Sequence, residues 1–150
     1  MIIPFGYINK ESIIKSGLIL NWDVQDYTSY SGTGTSITDL QGNSNGTFTG
    51  TITYTAGNPN IGNPNYLTIE GSNTEYVVSA TGLNSKLSPV NSGTSISTFV
   101  WVYPTGNGII LDELGTTAIN TSWHDSQIEL VSGALKFRVW NLKKYRKWKI

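Results

Sequence analysis

The 150-residue sequence contains no cysteine, which excludes disulfides and thiolate metal sites. Charged residues make up only 13% of the chain, and it has a single histidine. Long apolar runs are also missing, because Lys10, Glu11 and Lys15 interrupt the apolar pairs of residues 1–20. We therefore expect no signal peptide, no transmembrane helix and no insertion into a membrane. If the protein acts outside its cell of origin, we expect it to leave by lysis or by another route.

Small polar residues are abundant instead. Ser, Thr, Asn and Gly together account for 64 of the 150 residues. A composition rich in Thr and punctuated by Gly favours short strands and many turns over helices. The length fits one domain that can bury a sizeable core without covalent cross-links.

The zero net charge hides an uneven distribution of charge. Residues 1–135 hold three basic and all ten acidic residues, whereas residues 136–150 hold seven basic residues and none that is acidic. The last nine residues, 142–150, form a basic tail that contains Tyr145 and Trp148. Basic residues interleaved with aromatics can bind nucleic acid or an anionic surface. One short tail makes few phosphate contacts, so we do not expect a nucleic-acid partner and interpret the tail as solvated or lying on its own acidic domain.

Alternating apolar and polar residues predict about ten short strands separated by turns. The predicted strands include residues 17–24, 47–55 (with a break at Gly50), 66–70, 75–79, 94–104, 108–114, 121–131 and 133–140. The clearest is 94–104, which we expect in the centre of a sheet because both of its faces are largely apolar. A turn at Ser132 and Gly133 separates the last two strands. This pattern predicts an antiparallel β sandwich or barrel.

The stretch DLQGNSNGTF, Asp39–Phe48, has an N-x-N-G core like the start of a calcium loop. An EF-hand loop needs carboxylates at its first and twelfth positions, which fall here on Gln41 and Ile52. The EF-hand interpretation therefore fails. We predict a hairpin turn at Asn45 and Gly46, because both residue types accept positive φ, and keep calcium as the alternative.

Four segments occur in a characteristic order. They are GLILNWDVQDYTSYSGTGTSITDLQGNSNGTFTG (17–50), YLTIEGSNTEYVVS (66–79), SISTFVWVYPTGNGIILDELG (95–115) and SWHDSQIELVSGALKFRVW (122–140). Together they resemble the concanavalin A-like, laminin G-like jelly-roll domains of phage and marine microbial proteins. In that family the second segment forms a hairpin.

The resemblance implies an all-β fold, an antiparallel jelly-roll β sandwich of the concanavalin A-like type. It covers residues 17–141, with an N-terminal segment of residues 1–16 before it and the basic tail of residues 142–150 after it. The family continues with further strands where this chain runs into the tail, so the sandwich could be incomplete. An incomplete sandwich would expose apolar surface for the tail, a neighbouring copy or another protein to cover.

The same fold carries glucanases, whose retaining members need two carboxyl groups about 5–5.5 Å apart. Asp112 and Glu113 are neighbours that point to opposite faces of a strand, and Asp125 and Glu129 lie four residues apart. His124 beside Asp125 diverges from it in the same way and cannot form a triad. We therefore expect no enzymatic activity and no required cofactor, with a glycoside hydrolase as the weaker alternative.

The resemblance instead implies a lectin-like module for carbohydrate or surface recognition, in a phage virion or at a cell surface. We expect a homo-oligomer or a part of a larger assembly. Trp123 and Trp140 are predicted to stack on sugar rings, with His124 beside them, although both Trp could equally be core or rim residues. The alternatives are a purely structural virion protein held by protein contacts, and a truncated remnant without its own function.

Domains of this kind often bind calcium through Asp, Asn and backbone carbonyls on loops. Asp23, Asp26 and Asp39 flank the first loops and are the predicted calcium ligands. Aspartates at such places serve equally well as turn residues that accept hydrogen bonds from their own backbone. Both interpretations stay open at this point.

Overall fold

The computed structural model describes residues 16–58, 61–70, 74–80, 83, 97–114 and 124–137. The chain divides into two compact units, residues 1–96 and residues 97–150, and each unit is described by itself. The domain boundaries predicted from the resemblance stay predictions.

Eight strands and three antiparallel sheets are present among the described residues, with no α-helix. The strands are β1 (Ser36–Ile37), β2 (Gly46–Thr49), β3 (Thr53–Thr55), β4 (Tyr66–Thr68), β5 (Tyr76–Ser79), β6 (Gly108–Leu114), β7 (His124–Val131) and β8 (Ala134–Phe137). The all-β, antiparallel part of the prediction is confirmed. In the part of the chain described, no helix has the length and apolar character needed to cross a membrane.

The described residues of the first unit form two sheets. In one, β2 lies between β1 and β5; in the other, β3 pairs with β4. The chain changes sheets at Gly50, whose φ of 75° is in the left-handed region. The strand predicted over residues 47–55 is therefore two strands, divided at the glycine where the sequence pattern breaks.

Two predictions for this unit are wrong, one about a strand and one about strand pairing. Residues 17–24 form no strand, and β4 and β5 do not pair with each other as a hairpin. Periodicity describes which residues share a face, but the choice of neighbouring strand depends on residues distant in sequence. The predicted connection at residues 71–73 lies outside the described residues.

The described core of the first unit centres on three buried side chains, Tyr30, Ile37 and Phe48. The ring of Tyr30 lies 5.2 Å from that of Phe48, in a tilted arrangement favourable for aromatic pairs. Partly buried residues pack around this cluster: Trp22, Val24, Ile52, Tyr54, Leu67 and Val77. Because β1 to β5 all contribute to these residues, the two sheets share one apolar cluster.

Gly46 has a different role from the one predicted. The hairpin of β1 and β2 is present, but the glycine with positive φ in its connection is Gly42, at 72°. Gly46 lies within β2, where an added Cβ would come 2.7 Å from Cγ2 of Ile37 and 2.9 Å from Cγ1 of Val77. The sequence pattern thus located the hairpin, while close packing explains this glycine.

The second unit contains the sheet β6-β7-β8. The predicted turn between β7 and β8 is confirmed, since Ser132 and Gly133 have φ values of 53° and 77°. Positive φ at both central residues is the pattern of a two-residue type I′ hairpin. In β6, the register with β7 shifts between Ile109 and Asp112, as at a β-bulge.

The prediction of a central strand is wrong for residues 97–104, which are named the aromatic ribbon, and residues 94–96 of the predicted strand lie outside the described residues. No strand among the described residues pairs with the aromatic ribbon. The rings of Phe99, Trp101 and Tyr103 are each more than 90% exposed, and Val100 and Val102 are each 49% exposed. The alternation of the sequence marks a segment suited to a sheet, but burial requires neighbours that β6, β7 and β8 do not provide.

Candidate functional site

The loops of the first unit bring together most of the polar side chains predicted to act. This loop cluster consists of residues 19–31, 38–45, 57–58 and 61–65. Its centre is Asp39, which is only 3% exposed. Hydrogen bonds between side chains and backbone hold the cluster together, and they determine which polar atoms already have partners.

Both carboxylate oxygens of Asp39 are occupied by backbone N–H groups. Oδ1 accepts from Asn21 at 2.8 Å and from Gln41 at 3.0 Å, and Oδ2 accepts from Asn43 at 2.7 Å and from Ser44 at 3.0 Å. Burial by itself raises the pKa of the Asp39 carboxyl, but these four donors lower it, and the net pKa lies below the ordinary value. Asp39 is therefore ionised, and it stabilises the loop by accepting these four backbone hydrogen bonds.

Two further side-chain hydrogen bonds connect the loop around Asp39 to residues 19–22, which precede it in the chain. Asn43 donates from Nδ2 to the carbonyl of Ile19 at 2.7 Å, and Trp22 donates from Nε1 to the carbonyl of Ser44 at 2.9 Å. The predicted first strand is thus held mainly by side chains instead of a ladder of backbone bonds.

Asp23 and Asp26 each organise a turn. Oδ1 of Asp23 accepts from the N–H of Gln25 at 2.8 Å, and Oδ1 of Asp26 accepts from the N–H and the hydroxyl of Thr28 at 2.9 and 2.7 Å. These are Asx turns, in which the side chain takes the place of a backbone acceptor. The backbone carbonyl of Asp26 also accepts from the N–H groups of Ser29 at 2.8 Å and Tyr30 at 2.9 Å.

The three predicted calcium ligands all have turn roles in the structure. Among the described residues, no group of three or more His, Cys, Asp or Glu side chains lies close enough to hold a metal ion. A cation at Asp39 would have to displace backbone donors that the loop otherwise needs. Calcium binding by Asp23, Asp26 and Asp39 stays a prediction.

A side-chain clamp joins the turn at Asp23 to the loop that precedes β4. The amide of Gln25 donates from Nε2 to the carbonyl of Asn65 at 2.5 Å and accepts from its N–H at 3.0 Å. Asn65 in turn donates from Nδ2 to the carbonyl of Val24 at 3.2 Å and accepts from the N–H of Gly57 at 2.9 Å. The Gln25 side-chain amide therefore bonds both the carbonyl and the N–H of Asn65, as the backbone of a neighbouring strand would.

Replacement of Asn65 by Ala is expected to lower the free energy of unfolding by about 1–3 kcal/mol, since two side-chain hydrogen bonds are lost. Urea denaturation followed by circular dichroism measures this change. Asn63→Ala is the matched control, because Asn63 is exposed and lies in the same loop. Equal losses from the two substitutions would contradict the part of the clamp that the Asn65 side chain makes.

Tyr27 is the residue of this cluster that the sequence analysis missed. Its side chain is 78% exposed, at the tip of the turn that Asp26 and Thr28 form. Loops fixed on a rigid scaffold are frequent places for binding residues. The available signal was an aromatic residue flanked on both sides by turn-forming residues, in the stretch DYT.

The predicted aromatic site falls mostly beyond the described part of the chain. Trp123 and Trp140 lie outside the described residues, as does the basic tail of residues 142–150. His124 is the first residue of β7, and its backbone lies opposite Leu114. A role for these three residues in carbohydrate binding stays a prediction.

The register of β6 and β7 also shows a juxtaposition that spacing along one strand does not reveal. Glu113 in β6 lies opposite Asp125 in β7. The sequence analysis compared acidic residues only within a strand and so missed this pair. The expectation that the protein is not an enzyme stays a prediction.

No protein-family model, curated protein or solved structure matches this chain. A function must therefore be inferred from the described residues and from the resemblance in the sequence.

Proposed function

We propose that this chain is a non-enzymatic, lectin-like module that recognises carbohydrate or a surface within a phage virion or a cell-surface assembly. The proposal includes a jelly-roll β sandwich, for which the antiparallel sheets and their shared apolar cluster are the support. The observation that carries the function is Tyr27, an exposed ring on a turn fixed by hydrogen bonds.

An exposed tyrosine suits the chemistry of a sugar. The ring offers an apolar face for the C–H groups of a pyranose, and the phenol can donate to or accept from its hydroxyls. Tyrosine also provides this contact area with little conformational entropy to lose on binding.

The turn below Tyr27 adds preorganisation. Asp26 accepts three kinds of bond there: from the Thr28 side chain, from the Thr28 N–H, and at its own carbonyl from Ser29 and Tyr30. A loop already in its bound conformation loses less freedom on binding, and so more of the contact energy appears as affinity.

Removal of the Tyr27 ring is expected to weaken glycan binding without unfolding the protein. A glycan array with the wild-type protein selects a ligand, and calorimetric titration of Tyr27→Ala should show affinity at least about tenfold weaker, which is about 1.4 kcal/mol. The free energy of unfolding should change by less than about 0.5 kcal/mol, because the side chain is exposed.

Trp101→Ala is the control, since it removes an even more exposed ring from the other unit and should leave the affinity unchanged. Unchanged affinity in Tyr27→Ala would place recognition elsewhere, with Trp123 and Trp140 as the next residues to replace. Titration with and without EDTA tests calcium. If the wild-type protein bound no glycan at all, the purely structural alternative would gain support.

A further inference from the structure

We propose that the aromatic ribbon pairs antiparallel with the ribbon of a second copy of this chain. Two observations call for a partner: no described strand pairs with residues 97–104, and three aromatic rings there are more than 90% exposed. Monomeric proteins seldom leave apolar patches of this kind contiguous and uncovered. The inference is independent of glycan recognition, which is assigned to Tyr27 in the other unit.

The composition of the ribbon favours a second copy over a partner of different chemistry. STFVWVYP contains no charged residue. Natural edge strands avoid pairing with one another through lysines, inward-pointing charges, bulges or proline, and only Pro104 at the end of the ribbon serves this purpose. An uncharged, alternating segment is complementary to itself, whereas a charged peptide would find no counter-charge.

A two-fold arrangement centred on Trp101 gives every aromatic residue an aromatic neighbour. Trp101 then lies opposite Trp101 of the partner, and Phe99 lies opposite Tyr103, all on one face. Aromatic cross-strand pairs stabilise an antiparallel ladder by about 0.2–1 kcal/mol each. The interface is isologous, as in most dimers.

Pro104 is compatible with this register. Directly opposed residues alternate between hydrogen-bonded and non-hydrogen-bonded pairs, and proline fits only the second kind because it lacks an N–H. Pro104 opposite Thr98 therefore sets the even-numbered positions as non-hydrogen-bonded. Val100 opposite Val102 is then also a non-hydrogen-bonded pair, with about 4.5 Å between the Cα atoms.

The area available indicates a reversible dimer. An aromatic side chain can bury about 150–250 Å², so the three rings offer about 400–700 Å² in each copy. Pairing along one edge covers only part of that area, and stable specific interfaces bury about 1,200 Å² or more in total. The mass in solution should therefore depend on protein concentration.

Sedimentation equilibrium over a hundredfold range of concentration tests the pairing. The wild-type protein should shift from monomer to dimer, and Trp101→Lys should stay a monomer because two lysines would then lie opposite each other. Circular dichroism checks that this variant is folded. Tyr27→Lys, an exposed aromatic of the other unit, should dimerise like the wild type. A wild-type monomer at every concentration, or a dimer unaffected by Trp101→Lys, would overturn the proposal.

The absence of native cysteine allows the register itself to be tested. Val100→Cys mixed with Val102→Cys should form a disulfide between the two variants on mild oxidation, as the Cα separation of about 4.5 Å permits. Either variant alone should react far more slowly, because diagonal positions lie about 7–8 Å apart. Mass spectrometry distinguishes the mixed product from the two homodimers. Equal yields of all three would overturn the register.

A glycan result would also be decisive. If Trp101→Lys lost glycan binding while the wild type stayed monomeric, the ribbon would be a carbohydrate surface and the self-pairing proposal would be wrong. If Tyr27→Ala lost glycan binding and dimerised normally, both proposals would be supported.

Discussion

Replacement of Asp39 by Asn should lower the free energy of unfolding by about 3–5 kcal/mol at neutral pH. The carboxylate is buried and accepts four backbone N–H groups, two at each oxygen. Asparagine has the same shape but only one acceptor oxygen, so its amide NH₂ would face two of these donors. Hydrogen bonds to charged groups contribute about 1.5–3 kcal/mol each, and two of them are lost.

Urea denaturation followed by tryptophan fluorescence measures this change. Trp22 is a suitable reporter because it donates to the carbonyl of Ser44 in the same loop. Asp23→Asn is the matched control, since its Asx turn uses one oxygen that asparagine retains, and it should cost less than about 1 kcal/mol. Equal losses in the two variants would show that the four hydrogen bonds to the Asp39 carboxylate do not stabilise the loop.

The same carboxylate should make stability depend on pH. The pKa of Asp39 is lower in the folded protein than in the unfolded chain, so the unfolded state binds more protons in acid. The contribution to stability is then complete above the unfolded pKa of about 3.9 and is lost as the pH falls through the folded pKa. Asp39→Asn should remove this part of the acid dependence, and an identical pH profile in the variant would contradict it.

Gly50→Ala should lower the free energy of unfolding by about 2–5 kcal/mol. Left-handed φ costs a residue with a Cβ about 1–2 kcal/mol. At φ 75° the new Cβ would also overlap the carbonyl oxygen of Thr74 and lie 2.7 Å from Cγ of Glu75. Overpacking of this kind adds about 1–3 kcal/mol, because backbone has to move.

Gly62→Ala isolates the backbone part of that effect. Gly62 has a φ of 73°, and nothing lies within 4 Å of the position its Cβ would take. Thermal unfolding should therefore show only the loss of about 1–2 kcal/mol expected for the left-handed conformation. If Gly50→Ala cost no more than Gly62→Ala, the close approach of Thr74 and Glu75 would add nothing to the cost of the left-handed conformation.

Local chemistry accounts for the predictions that the structure confirms. The turn at Ser132 and Gly133 follows from residue types that accept positive φ. The all-β class follows from the same short-range signals. Each depends on a few consecutive residues, so the sequence was sufficient.

The candidate site depends on contacts that local sequence patterns do not predict. Asp39 stood out in the sequence both as a possible ligand and as a turn residue, and only the positions of Asn21 and Ser44 around it show which backbone groups fill its oxygens. The clamp of Gln25 on Asn65 joins residues that no local pattern connects. Tyr27 was missed because exposure, unlike periodicity, depends on what other segments cover.

The sequence by itself determined the antiparallel all-β class, the turn at Ser132 and Gly133, and the alternating faces of segments such as the aromatic ribbon. Those properties arise from backbone preferences and side-chain spacing within a few residues. Only the tertiary structure decided that β2 pairs with β5, that Gly46 is a packing residue, and that no described strand covers Phe99, Trp101 and Tyr103. Pairing and burial are decided by contacts between distant parts of the chain, which a local pattern permits but does not select.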